Sequence, residues 1–165
     1  MGTQLRDFAS SAVAVVEPET TALVVAQVMR KHHVGALVVV EAGDKNRPVG
    51  IVTDRDLVLE LMAEGLDPAV FTAGDIMSVD LVTAAPTMDA VDAAQLMKTH
   101  RVRRLVLTDG AGSLAGIVTM EDVLELLSRQ LGDLAEGLTG AREREIRERG
   151  ERRPQDANTP RKQVA

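Results

Sequence analysis

A chain of 165 residues with 45% apolar side chains is long enough for one compact domain, or for two small ones sharing a core. It has no Trp, Tyr or Cys, and Phe8 and Phe71 are its only aromatics; this excludes disulfides, thiolate metal sites and a cysteine nucleophile, and argues against stacking of single-stranded bases. The net charge of −6 divides into −9 over residues 1–140 and +3 over 141–165, so the larger part repels nucleic acid on average.

Along the chain, the first apolar run is AVAVV (12–16), which reads as a short strand ended by a turn at Pro18. A helix is predicted over 20–32, with His32 and His33 at its C-terminal end, where positive charge is favoured. The all-apolar VGALVVV (34–40) has the pattern of a strand buried on both faces. A loop with Gly43 leads to a third strand, VGIVT (49–53), and a helix starts at Asp54 and runs through DLVLELM. EGLDPAVFTAG (64–74) reads as a linker. The same order then returns: strand LVTA (81–84), turn at Pro86, and a helix over 88–100 with Ala90, Ala93, Ala94 and Met97 at helical spacing. Strand RLVL (104–107), a loop with Gly110 and Gly112, strand AGIVT (115–119) and a helix from Met120 complete it. Gly50 and Gly116 are expected as turn residues at strand starts.

The repetition is literal. Between residues 18–40 and their counterparts 68 positions on, 9 of 23 residues are identical, among them Met29/Met97, His32/His100 and Leu37/Leu105. After a loop two residues shorter, GIVTDRD (50–56) meets GIVTMED (116–122). Asp7 and Ser10 fall on Asp75 and Ser78. Each copy is a β-α-β-β-α unit, too small to bury a comfortable core alone, so the two are expected to pack sheet against sheet.

The strand order, the G-h-h-T-x-x-D signature (h, apolar) and the DIMS lead-in at 75–78 resemble the CBS domain, and two in tandem resemble a CBS pair, or Bateman module. The resemblance implies an α/β (α+β) fold of two repeats about a pseudo-twofold axis, 7–63 and 75–131 with a linker at 64–74; the composition of 132–165, beyond the resemblance, reads as a charged helix extension with a disordered tail. The resemblance also implies a regulatory sensor that binds an adenosine compound in clefts between the repeats, forms a homodimer, and acts on a regulated protein partner.

By chemistry, Asp56 and Asp122 offer a ribose two acceptor oxygens, and both lie in a helix first turn, where negative charge is favoured. Thr53 and Thr119 either cap those helices or offer a hydroxyl to phosphate or ribose; T-x-x-D is close to a capping box. Free helix N–H groups beside them suit a phosphate. Val34-Gly35-Ala36 of the first copy aligns with Val102-Arg103-Arg104 of the second. The resemblance assigns a phosphate to a basic residue at the Arg104 position and the adenine slot to small residues at Gly35 and Ala36. The better nucleotide cleft is therefore expected at Arg104, Thr119 and Asp122, closed by Ser10, Ser11, Val13, Val34 and Gly35, with Arg103 beside it. The cleft at Thr53 and Asp56, with Ser78 by repeat, departs from that pattern because Ala36 replaces the arginine; Arg55 is its candidate phosphate contact.

The expected function is thus binding of AMP, ADP or ATP as a regulatory ligand, altering dimer conformation or a partner's activity. S-adenosylmethionine-type sensing and a structural dimerisation module are the alternatives. HExxH, GxSxG and GxxxxGK[ST] are all missing, so no catalytic centre is named, and no metal or required cofactor is expected. REREIRERGERR (142–153) reads as a solvated helix with alternating charges, a poor nucleic-acid binder. Without an apolar run near the roughly 18 residues of a membrane span or the pattern of a signal peptide, the expected location is cytoplasmic.

Overall fold

The computed structural model describes residues 2–151, in two compact units that divide between Leu124 and Glu125. The expected disordered tail lies outside the described residues from 152 on. In the first unit each repeat folds in the same order: β1 (Val15–Val16), α1 (Ala22–His32), β2 (Ala36–Glu41), β3 (Asp44–Thr53) and α2 (Asp54–Asp56), then α3 (Ala73–Ile76), β4 (Thr83–Ala84), α4 (Ala90–His100), β5 (Arg104–Thr108), β6 (Leu114–Thr119) and α5, which begins at Met120. The sheets run β1-β2-β3 and β4-β5-β6; the first pair of each is parallel and the second antiparallel.

The central strands are buried on both faces because alternate residues serve different cores. Leu37 and Val39 face the helices of the first repeat, with Val25 and Met29. Val38 and Val40 point the other way and meet Val106 of β5, so the two sheets pack on one another. Leu105 and Leu107 face the second repeat's helices, with Ala93 and Met97. Each fully buried Leu or Val of this kind contributes on the order of 1.5–3 kcal/mol, and the layer of Val38, Val40 and Val106 is a core that only the two repeats together form.

The short segments preceding each repeat are exchanged. Leu5, within a 3-10 turn at Leu5–Asp7, is fully buried in the second repeat's core, with Phe8 and Ala9 packed against it. Ala73, Ile76 and Met77, from the segment preceding the second repeat, complete the core of the first. Each segment then pairs with the other repeat's third strand, Ser10 with Ile117 and Ser78 with Ile51, through reciprocal backbone hydrogen bonds of 2.9–3.1 Å.

This exchange corrects the reading of Gly50 and Gly116. Both lie inside strands, β3 and β6, and not in turns. A Cβ on Gly116 would stand 2.8 Å from the backbone oxygen of Ser10, and one on Gly50 2.4 Å from Met77 Sδ. At Gly116 glycine is required because another backbone crosses at contact distance, whereas at Gly50 the nearest neighbour is a flexible side chain.

Other elements differ in extent from the expectation. The first strands shorten to two residues, β3 reaches back to Asp44, and α2 continues as a π-helix over Leu57–Met62. The second unit, from Glu125, is the continuation of α5, a single helix from Met120 to Glu151 that passes through Gly132, Gly137 and Gly140. No helix among the described residues is long and apolar enough to cross a membrane.

Candidate functional site

The signature threonines end their strands and cap the helices that follow. Thr53 donates its backbone N–H and its hydroxyl to Asp56 Oδ2, both at 2.7 Å, and its Oγ1 accepts from the Asp56 N–H at 3.3 Å. Thr119 and Asp122 repeat this, with 2.8 Å to Oδ2 and 3.1 Å back to Oγ1. The capping role is therefore real. It also changes the acceptor count: Oδ2 already takes two hydrogen bonds, so Oδ1 is the oxygen each aspartate has left for a ligand. The threonine hydroxyl proton is spent on the carboxylate.

The first residue of each helix is tied to the residue that precedes the paired central strand, at the same end of the sheet. The Asp54 N–H donates to the Gly35 carbonyl at 3.1 Å, and the Met120 N–H to Arg103 at 2.9 Å. The start of the second strand is thereby held against the signature in both repeats.

A cavity of about 680 Å³ opens beside Thr53 and Asp56. It is lined by Ile51 and Val106, by the Ser78–Val82 segment and by His100–Arg104 of the second repeat. Four arginines, Arg55, Arg101, Arg103 and Arg104, are among the lining residues, together with Asp56 and Asp80. Apolar surface comes from Ile51, Leu81 and Val102. A polar rim with an apolar slot, in a volume of several hundred Å³, is the form of a small-molecule site.

This grouping differs from the one expected. Arg104 is paired in register with Thr119 across β5 and β6, yet it lines the cavity of Thr53 and Asp56. That cavity is therefore rich in arginine. The reason is the exchange described above: its signature comes from one repeat, and both its preceding segment and the start of its second strand come from the other. Ala36 is paired in register with Thr53 across β2 and β3.

The remaining candidates are placed as follows. Ser78 lines the cavity. Ser10 is exposed and lies beside Ile117, two residues before Thr119. Ser11 is exposed, and Val13 packs on the apolar layer between the sheets. Val34 is 39% exposed just before β2. Gly35 sits where a Cβ would lie 3.1 Å from Asp54 Oδ2 and 3.5 Å from the Arg104 guanidinium, so the arginine tip ends close to the first repeat.

Most of the cavity lining was not singled out from sequence; its charged or polar members of this kind are Asp80, His100 and Arg101. Arg101 ends α4 in the left-handed region, φ 56°, with its N–H donating to Met97 and Lys98 carbonyls; His33 does the same after α1, φ 53°. Their alignment at offset 68 was the available signal, but only the folded wall shows that Arg101 faces this cavity.

A family model described as CBS domain matches residues 5–63 and 73–129. An uncharacterized protein of Methanopyrus kandleri is 40% identical over 109 residues, 66% of this chain and 55% of that protein, so the chain spans about half of that relative's length. A CBS domain-containing protein of Bacillus subtilis is 39% identical over 119 residues, covering 72% of this chain and 81% of its own. Among solved structures, hypoxic response protein I, a Mycobacterium tuberculosis protein, with two coordinated zinc ions, superposes with a TM-score of 0.65 at 32% identity over 74% of this chain and 98% of that one. A CBS domain protein from Pyrobaculum aerophilum complexed with AMP gives 0.68 at 26% identity over 76% and 99%.

Proposed function

The chain belongs to the CBS-domain family, as a tandem pair, and from that premise we propose that it senses an adenine nucleotide, AMP, ADP or ATP, in the cavity of Thr53, Asp56 and Arg104. The pair is a regulatory, non-catalytic ligand-sensing module. The observation that carries the nucleotide reading is that four arginines line one cavity with Asp56, whose Oδ1 is the oxygen left for a ligand. Asp56 Oδ1 accepts from the ribose hydroxyls, the guanidinium forks take the phosphate, and Ile51, Leu81 and Val102 flank the base. The AMP held by the Pyrobaculum aerophilum protein supports the ligand class. Among the described residues no group of three or more His, Asp or Glu side chains stands together for a metal ion, and zinc has no part in the proposal.

Binding regulates only through differential affinity for two states, of a homodimer or of a partner complex. A second reading applies to the cleft at Thr119 and Asp122. There Gly35 and Ala36 occupy the positions of Arg103 and Arg104, which suits an adenosyl ligand without phosphate, of the S-adenosylmethionine type.

Calorimetric titration with AMP, ADP, ATP, S-adenosylmethionine and adenosine tests both. The expected result is a phosphorylated ligand bound more tightly than adenosine, with the difference lost in Arg104→Ala and all nucleotide binding weakened in Asp56→Ala. Equal binding of AMP and adenosine, or no binding of any nucleotide, would contradict it.

A further inference from the structure

The second unit carries a surface that the ligand site does not use. Within α5, Leu127, Leu131, Leu134 and Leu138 recur at intervals of four, three and four, the a/d spacing of a helix that pairs with another helix. They are 41%, 67%, 67% and 74% exposed. Three of the four lie beyond the residues matched by the CBS family, which end at 129. The flanking positions are small or neutral: Ser128, Gln130, Ala135 and Gly137. The charges Arg129, Asp133 and Glu136 stand on the opposite face.

The helix is also poor on its own terms. Gly132, Gly137 and Gly140 each weaken a helix interior, and among the described residues nothing beyond the adjoining helix backbone lies within 4 Å of where their Cβ atoms would be. Helices of this kind are held by packing of an apolar face, not by propensity.

We propose that this seam binds the same seam of a second copy, antiparallel. The spacing is its own complement: with the copies reversed about the midpoint between Gly132 and Asp133, Leu131 meets Leu134 of the second copy and Leu127 meets Leu138. A twofold dimer requires such self-complementarity. The charges choose the direction. A parallel pair would set Arg144 against Arg149 of the second copy and bury Glu145 against itself. The antiparallel pair places Arg142 opposite Glu121 of the second copy and keeps the neutral flanks Ser128 and Ala135, and Gln130 and Gly137, facing one another, so the helices approach closely.

Two measurements on the full chain test this. Light scattering across a concentration series is expected to show that Leu131→Lys with Leu134→Lys halves the assembly mass, while thermal unfolding shows the fold intact. An unchanged mass, or a wild-type chain that stays monomeric, overturns the proposal. Because the chain has no cysteine, single variants report direction cleanly: a mixture of Leu127→Cys and Leu138→Cys chains is expected to form mixed disulfide dimers in preference to matched ones. Preferential matched dimers would overturn the antiparallel arrangement, and disulfides absent from all mixtures would overturn the seam.

Discussion

The same substitution at two equivalent glycines is expected to have different consequences, because different atoms cross them. At Gly116 an added methyl meets the Ser10 backbone oxygen at 2.8 Å, and that oxygen accepts the Ile117 N–H at 3.0 Å. Gly116→Ala must therefore lift the N-terminal segment and strain two backbone hydrogen bonds, each worth about 0.5–1.5 kcal/mol net. Overpacking of this kind typically costs about 1–3 kcal/mol, offset by about 0.5–1 kcal/mol from removing a strand glycine. At Gly50 the nearest atom is Met77 Sδ at 2.4 Å, the movable part of a flexible side chain, with Met77 Cγ at 3.0 Å and the Ser78 oxygen at 3.1 Å behind it. A rotamer change of Met77 relieves most of that, so Gly50→Ala should be within about 1 kcal/mol of wild type. Urea unfolding of both variants should show Gly116→Ala less stable by roughly 1–2 kcal/mol. Amide exchange at Ile117 should accelerate in that variant alone. Equal stability of the two, or greater damage at Gly50, would refute the close-approach argument.

Leu5→Ala should cost about 2–5 kcal/mol although it lies outside the second repeat in sequence, because Leu5 is fully buried in that repeat's core; a thermal midpoint lowered by less than about 4 °C would contradict the exchange of segments. Arg101→Gly should leave stability unchanged or raise it by up to about 1 kcal/mol by relieving the left-handed backbone, while weakening a phosphorylated ligand by roughly tenfold or more; His33→Gly should match the first effect and not the second, as calorimetry would show. The Asp75 carboxyl is held below its ordinary 3.8, first by the Thr72 backbone N–H and then by the Thr72 hydroxyl. The native state thus holds the proton less readily than the unfolded one, and the contribution is present above pH 3.8 and lost on acidification below it. The stability gap between wild type and Asp75→Asn should accordingly shrink as urea midpoints are taken from pH 6 to pH 3, and a gap that widens would contradict this.

What was legible in the sequence was periodic or local. The all-apolar VVV of β2 announced a strand buried on both faces, and the offset of 68 announced the duplication before any fold was known. T-x-x-D showed both of its possibilities, capping and ligand contact, since three residues of separation fix a helix first turn. What remained hidden depends on contacts between distant segments. No local pattern says that Ser10 crosses Gly116, or that Leu5 belongs to the second core. The resemblance groups Arg104 with Thr119 and Asp122, whereas Arg104 lines the cavity of Thr53 and Asp56 through an exchange of segments that no local pattern shows. A charged helix extension is expected from the sequence, but Gly132, Gly137 and Gly140 hide that it is one unbroken helix from Met120, their low propensity being overruled in the folded chain.

Nucleotide binding beside Thr53 and Asp56 is tested by an amide chemical-shift titration of the full chain with AMP. Saturable shifts are expected at Thr53, Asp56, Ser78, Arg101 and Arg104, lost in Asp56→Ala. Shifts confined to Thr119, Asp122 and Ser10, with the Thr53 cavity silent, would contradict it.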